Sequence, residues 1–167
     1  ARCRLVTQPS SGAAAARNRG ISESTGALLA FLDADDVWTP DKLDRQLFAL
    51  TANPEIDMAF GHYVTFGGGH DASDVRPGYS LGTMLIRRER FVKVGPLSTA
   101  WRVGEFIDWY ARAEETGLRQ VMLPDVLLRR RAHDDNLTTR QRHAAVDYAR
   151  IVRGIAARRA RLRSEAT

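Results

Sequence analysis

Lysine is nearly absent: Lys42 and Lys93 are the only two in 167 residues, so almost all the positive charge rests on arginine. Cysteine is scarcer still. Cys3 alone excludes an intrachain disulfide and a cysteine-built zinc site, and it is compatible with a reducing compartment. No apolar run approaches the roughly 20 residues of a membrane-crossing helix, and the first residues hold no apolar core of the signal-peptide kind. These absences lead us to expect a soluble protein in the cytoplasm, at most peripheral at the inner face of the membrane. The chain opens at Ala1 rather than methionine and runs into Arg-Cys-Arg-Leu-Val, which reads as the middle of a protein entering a strand. An N-terminally incomplete chain is expected.

What is present fits one folded domain, with 44% hydrophobic residues in 18.6 kDa. The net charge is +5 and the pI is near 10.0. Part of the excess is gathered in Arg129 to Arg131 and in the stretch from Arg140 to Arg163. Without interleaved aromatics such a stretch predicts no specific nucleic-acid partner; an anionic membrane surface or an acidic partner fits better.

The stretch Ala27 to Trp38, Ala-Leu-Leu-Ala-Phe-Leu-Asp-Ala-Asp-Asp-Val-Trp, carries the most chemistry. An apolar run that meets Asp33, Asp35 and Asp36 reads as a buried central strand delivering acids to its C-terminal end, where open α/β sheets bind ligands. Carboxylates this close repel one another unless a cation sits between them, and oxygen ligands suit Mg²⁺ or Mn²⁺. The alternative is that the acids only begin a loop and cap the next helix. Thr39 as N-cap, Pro40 at the first helical position and Asp41 near the helix dipole already serve that purpose.

Around this centre, Arg4 to Thr7 reads as a short strand and Ala13 to Glu23 as an alanine-rich helix. Arg17 on that helix is either a phosphate or carboxylate partner or a surface arginine beside Asn18. Leu43, Leu47 and Leu50 mark a helix from Pro40 to Ala52, and Met58 to Phe66 a strand interrupted at Gly61. Gly67 to Gly78 reads as a linker or mobile lid, Leu81 to Arg87 as a strand, and Arg88 to Val94 as a short helix. In the helix predicted from Glu105 to Thr116, Glu105, Asp108 and Arg112 share a side. Glu105 reads as a dipole-stabilising surface acid. Asp108, flanked by Ile107 and Trp109, is either a proton acceptor shielded from water or the structural partner of Arg112. After a strand over Val121 to Arg130, His133 precedes Asp134 and Asp135 and is the best metal candidate among the histidines. Tyr148, Ile151, Val152 and Ile155 mark one face of a terminal helix, with Arg150, Arg153 and Arg158 pointing elsewhere.

The segments Gly12-Ala13-Ala14-Ala15-Ala16-Arg17-Asn18-Arg19-Gly20-Ile21 and Phe31-Leu32-Asp33-Ala34-Asp35-Asp36-Val37-Trp38-Thr39-Pro40, with Gly26 between them, resemble the central signature of family 2 glycosyltransferases. Gly104-Glu105-Phe106-Ile107-Asp108-Trp109 and Arg131-Ala132-His133 are similar to its looser later motifs. The resemblance implies an α/β fold of the GT-A type, Rossmann-like, lacking the first part of its nucleotide-binding half. It extends over residues 1–136, with 137–167 as a basic helical extension. It further implies a metal-dependent, inverting transfer of a sugar from a nucleotide-diphospho-sugar, a UDP-sugar in the first instance, to the hydroxyl of a sugar or lipid-linked acceptor.

By this resemblance Asp33 contacts the ribose or the metal, with Arg17 and Asn18 on the same donor site. Asp35 and His133 ligate Mn²⁺ or Mg²⁺, and Asp108 is the base. Phe106 stands where the family commonly has a second acid, which leaves the choice between Glu105 and Asp108 open. Two other readings compete. An apolar strand ending in Asp-x-Asp also suits an aspartyl phosphotransferase, although that chemistry needs a lysine where lysine is scarce. An inactive truncated remnant would act only as a binding module through its basic C-terminus.

Overall fold

The computed structural model describes residues 3–69, 74–132 and 144–165. In chain order the elements are α1 (Ala13–Glu23), β1 (Leu28–Ala30), β2 (Val37–Trp38), α2 (Lys42–Ala52), β3 (Met58–Phe66), β4 (Arg76–Gly78), a 3-10 turn (Leu81–Thr83), β5 (Leu85–Arg87), α3 (Arg88–Val94), α4 (Glu105–Glu115), β6 (Gln120–Arg131) and α5 (Ala144–Glu165). The sheet order is β1-β5-β3-β6-β2, with β4 beside β3. Among the described strand pairs only β3 and β6 run parallel; the others are antiparallel.

Alternation along the strands divides the core between the two faces of the sheet. Met58, Phe60 and Ile86 face the larger cluster, where Trp109 of α4 stacks on Phe91 of α3 with ring centroids 4.4 Å apart. Ala59 and Leu85 face the other way and meet Leu50 of α2. The expected elements are recovered with several differences. Arg4 to Thr7 is irregular: Leu5 is 89% exposed, and no described strand supplies the ladder that would define it as one. The acid-bearing strand is shorter than expected and lies at the edge of the described sheet, not at its centre. Residues 76–78, expected to be loop, pair with β3. Leu81 to Thr83 tightens into a 3-10 turn before β5.

β3 runs through Gly61 instead of breaking there. A Cβ at that position would collide with the side chain of Leu127 and stand 3.1 Å from the Asp125 carbonyl, so the glycine lets β6 approach. The register of this pair shifts on either side of His62, opposite the part of β6 that contains Pro124, which has no N–H for the ladder.

α2 begins later than its capping residues suggested. The Thr39 N–H donates to the Leu127 carbonyl at 3.2 Å, so Thr39 continues the sheet instead of opening the helix. The phase of the helix also differs from the leucine reading. Leu50 is buried, but Leu43 and Leu47 are about half exposed, and Lys42 and Gln46 take the inward places. Lys42 donates to Gln46 Oε1 at 2.7 Å and to the Met84 carbonyl at 3.4 Å, and its ammonium stands 4.5 Å from the centroid of the Trp38 ring. Gln46 donates in turn to the carbonyls of Ala59 and Thr83, both at 2.7 Å. Burial lowers the Lys42 pKa to about 7.

Candidate functional site

Three elements converge on one guanidinium. The small side chains of Ala13 to Ala16 let α1 lie close, and Arg17, one turn on, donates from Nη2 to Asp33 Oδ1 at 2.6 Å and from Nη1 to Glu105 Oε1 at 2.5 Å. Asp33 lies three residues past the end of β1 and Glu105 opens α4, so the planar fork of Arg17 spans the two. The Arg17 and Glu105 side chains are largely enclosed, 19% and 13% exposed, whereas Asp33 is 53% exposed. Asn18 turns away from this group. Its amide donates to the Leu97 carbonyl at 2.8 Å and accepts from the Leu97 N–H at 3.0 Å, which pins the loop before α4.

The acids after β1 occupy a single turn, closed by the Asp36 N–H donating to the Asp33 carbonyl at 3.1 Å. The turn is fastened to the end of β6. Asp36 Oδ1 accepts from the Arg131 N–H at 2.9 Å, and Arg131 Nε donates to the Asp35 carbonyl at 3.1 Å. Burial raises the Asp36 pKa; its neighbours Asp35 and Asp33 push the same way, while the Arg131 N–H and Arg130 oppose them. Asp35 is half-buried in the middle of the turn. Arg129 and Arg131 lie over the Phe66 ring, 5.0 and 4.7 Å from its centroid. The bond between Asp36 and Arg131 was missed in the sequence, where Asp36 was read as one of three strand-end acids and Arg131 as part of an arginine run and of a loose motif before His133.

Asp108 is engaged elsewhere. Its Oδ2 accepts from Arg112 Nε and its Oδ1 from Arg158 Nη1, both at 3.1 Å, and its side chain is 10% exposed. Arg112 also donates to the carbonyls of Val94 and Pro96, and Arg158 to Glu115, so Asp108 ties α4 to the end of α3 and to α5. The two carboxylates expected to share one side of α4 therefore serve different partners. Arg158, expected to point away, is the residue that docks α5. A groove of about 510 Å³ behind this junction is lined by Arg112, Glu115, Arg158, Arg161 and Leu162; it contains none of the residues around Arg17.

His133 lies outside the described residues, as do Asp134 and Asp135. Among the described residues no three His, Cys, Asp or Glu side chains gather closely enough to enclose a metal. Asp33 and Asp35 in the turn are the carboxylates that could contribute to a hard cation such as Mg²⁺, which characteristically takes one or two protein carboxylates and fills its remaining positions with substrate phosphate and water.

Comparison with known proteins bears on the family and the fold. The profile of Glycosyl transferase family 2 matches residues 1–106. An uncharacterized glycosyltransferase of Haemophilus influenzae is 31% identical over 122 residues, covering 63% of this chain and 42% of that protein. The Escherichia coli UDP-Glc:alpha-D-GlcNAc-diphosphoundecaprenol beta-1,3-glucosyltransferase WfgD is 38% identical over 59 residues, 35% of this chain and 23% of its own. S. aureus TarS 1-349, solved in complex with UDP-GlcNAc, superposes with a TM-score of 0.71 over 91% of this chain and 48% of that one, at 17% identity. That likeness is one of fold, the GT-A type. The chain spans less than half the length of these relatives.

Proposed function

The chain belongs to glycosyl transferase family 2, and from that footing we propose that it carries the diphosphate-binding and acceptor-activating part of a metal-dependent, inverting glycosyltransferase. The observation that carries this reading is the Arg17 fork, which holds an acid from the strand end and an acid from the start of α4 together. A UDP-sugar is the donor, in keeping with the UDP-GlcNAc bound to TarS and the UDP-Glc named for WfgD. A sugar or lipid-linked hydroxyl is the acceptor, and the reaction takes place in the cytoplasm, peripherally at the membrane.

Asp35, with Asp33 beside it and His133 as a candidate further ligand, would hold Mn²⁺ or Mg²⁺. When bound, the cation would offset the charge that grows on the departing nucleotide diphosphate. Arg17 positions Asp33 and adds a positive charge beside the diphosphate. Asn18 acts through Leu97, keeping the approach to α4 in place. The acceptor hydroxyl gives its proton to a carboxylate and attacks the anomeric carbon from the face opposite the leaving diphosphate, which inverts that centre. We place the base at Glu105 instead of Asp108, because Glu105 is the carboxylate joined to the acidic turn and Asp108 is enclosed between two arginines.

Calorimetric titration with UDP-glucose and UDP-GlcNAc, with and without Mn²⁺, tests the reading. Binding that needs Mn²⁺ and disappears in Asp35→Ala supports it. Absence of binding, or equal binding after that substitution, overturns it.

A further inference from the structure

We infer that the outward face of α5 seats the protein on an anionic lipid bilayer. This gives a surface to the peripheral attachment proposed above and rests on that reading for its purpose, though not for its physics. The helix is 22 residues long and carries six arginines against two acids, a net charge of four out of the chain's five. Of its two acids, Asp147 is enclosed and accepts from the Arg102 N–H at 3.2 Å, and Glu165 is exposed at the end of the helix, where it lines the groove beside Arg158. The inward side is equally well defined: Ile151 is buried, Tyr148 and Ile151 press on Gly104, and Arg158 and Arg159 bond to Asp108, Glu115 and Glu114 of α4.

The remaining arc is exposed. Ala149, Ala156 and Ala160 run along it at helical spacing with Arg153 among them; Arg150 flanks them, and Arg161 stands at the margin where the arc meets the groove that Glu165 also lines. None of the ion pairs among the described residues involves Arg150, Arg153 or Arg161. Val146 and Val152, 47% and 60% exposed, add apolar surface. Cationic heads on long stems beside small apolar side chains suit the boundary between lipid headgroups and acyl chains, where the stems lie along the apolar strip and the guanidinium groups meet phosphate. Nucleic acid is the poorer match, because the helix's one aromatic, Tyr148, faces inward and leaves nothing outside on which bases could stack. With no outward aromatic and only small apolar residues, the attachment is electrostatic and reversed by salt.

The experiment is co-sedimentation of the full chain with vesicles of phosphatidylcholine alone and with vesicles containing phosphatidylglycerol in about equal parts, across a salt series. We expect binding only to the anionic vesicles, steeply weakened by salt. The triple variant Arg150→Gln, Arg153→Gln, Arg161→Gln should lose affinity on the order of a hundredfold, while its circular dichroism stays that of the parent. Equal binding to both vesicle types overturns the proposal, as does an unchanged triple variant or tighter, salt-sensitive binding to an oligonucleotide. UDP-sugar titration of the same samples separates the two claims: vesicle binding without donor binding would overturn the transferase reading and leave the surface intact.

Discussion

The Arg17 guanidinium and the Glu105 carboxylate meet at 2.5 Å although 88 positions separate them in the chain. One helix thereby reports on another, and the acidic turn after β1 is connected to the start of α4. The contact makes Glu105, read from the sequence as a surface acid, a member of the candidate site.

Replacing Glu105 by glutamine keeps the size and removes the basicity. UDP release from a UDP-sugar should fall by about a hundredfold or more, the usual range for a lost general base, while donor affinity changes little. Asp108→Asn should leave turnover much closer to the parent. Initial rates and donor titration on the two variants decide between the carboxylates, and the reverse ranking would return the base to Asp108.

Stability should show the opposite order. Asp108→Asn strips two partly enclosed arginines of their shared anion. A fully buried pair broken this way costs about 3–5 kcal/mol, and the partial exposure of Arg112 and Arg158 brings the expectation nearer 2 kcal/mol. For a domain of this size that lowers the melting temperature by about 4–8 °C. Scanning calorimetry on both variants reads the difference; an unaffected Asp108→Asn protein would mean that the junction of α4 and α5 is held by its apolar contacts.

Lys42 predicts a pH dependence. Its folded pKa lies near 7 against an ordinary value of 10.5, so between these limits the unfolded chain binds a proton that the folded one has released. Stability contributed by this residue therefore rises from pH 7 toward pH 10, and the penalty for enclosing the charged form applies in full below 7. Urea midpoints measured across that window should climb more in the parent than in Lys42→Met, which has no such proton. Parallel curves for the two proteins would show that the ammonium keeps an ordinary affinity for its proton.

Gly61→Ala should cost about 1–3 kcal/mol, because the added methyl meets Leu127 and the Asp125 carbonyl where β3 and β6 approach each other. Urea denaturation checks it. Combining Gly61→Ala with Leu127→Ala should recover part of the loss if the collision is with that side chain, and recover nothing if the backbone sets the limit.

Much of this architecture could be read in advance. The alanine run before Arg17, the apolar stretch before Asp33 and Gly117 after α4 each carry their own local instruction; α1 and α4 appear where those instructions place them, while β1 forms within its stretch but shorter and at the edge of the described sheet. The start of α2 was misread because Thr39 answers to a long-range partner, the Leu127 carbonyl, which overrides its local capping preference. The division of labour between Glu105 and Asp108 was hidden for a related reason. Spacing placed both on one side of a helix, and only Arg17 and Arg158, distant in the chain, distinguish them. The attachment of the acidic turn to Arg131 likewise joins positions 95 residues apart, beyond the reach of any periodicity.

On α2, hydropathy is a misleading guide to mutability. Lys42 and Gln46 are fully enclosed, while Leu43, Leu47 and Phe48 look outward, Phe48 with 74% of its surface in water. Tolerance should therefore run against intuition: a library randomised across this helix would accept serine or glutamate in place of the greasy side chains and reject almost everything at the two hydrophilic ones.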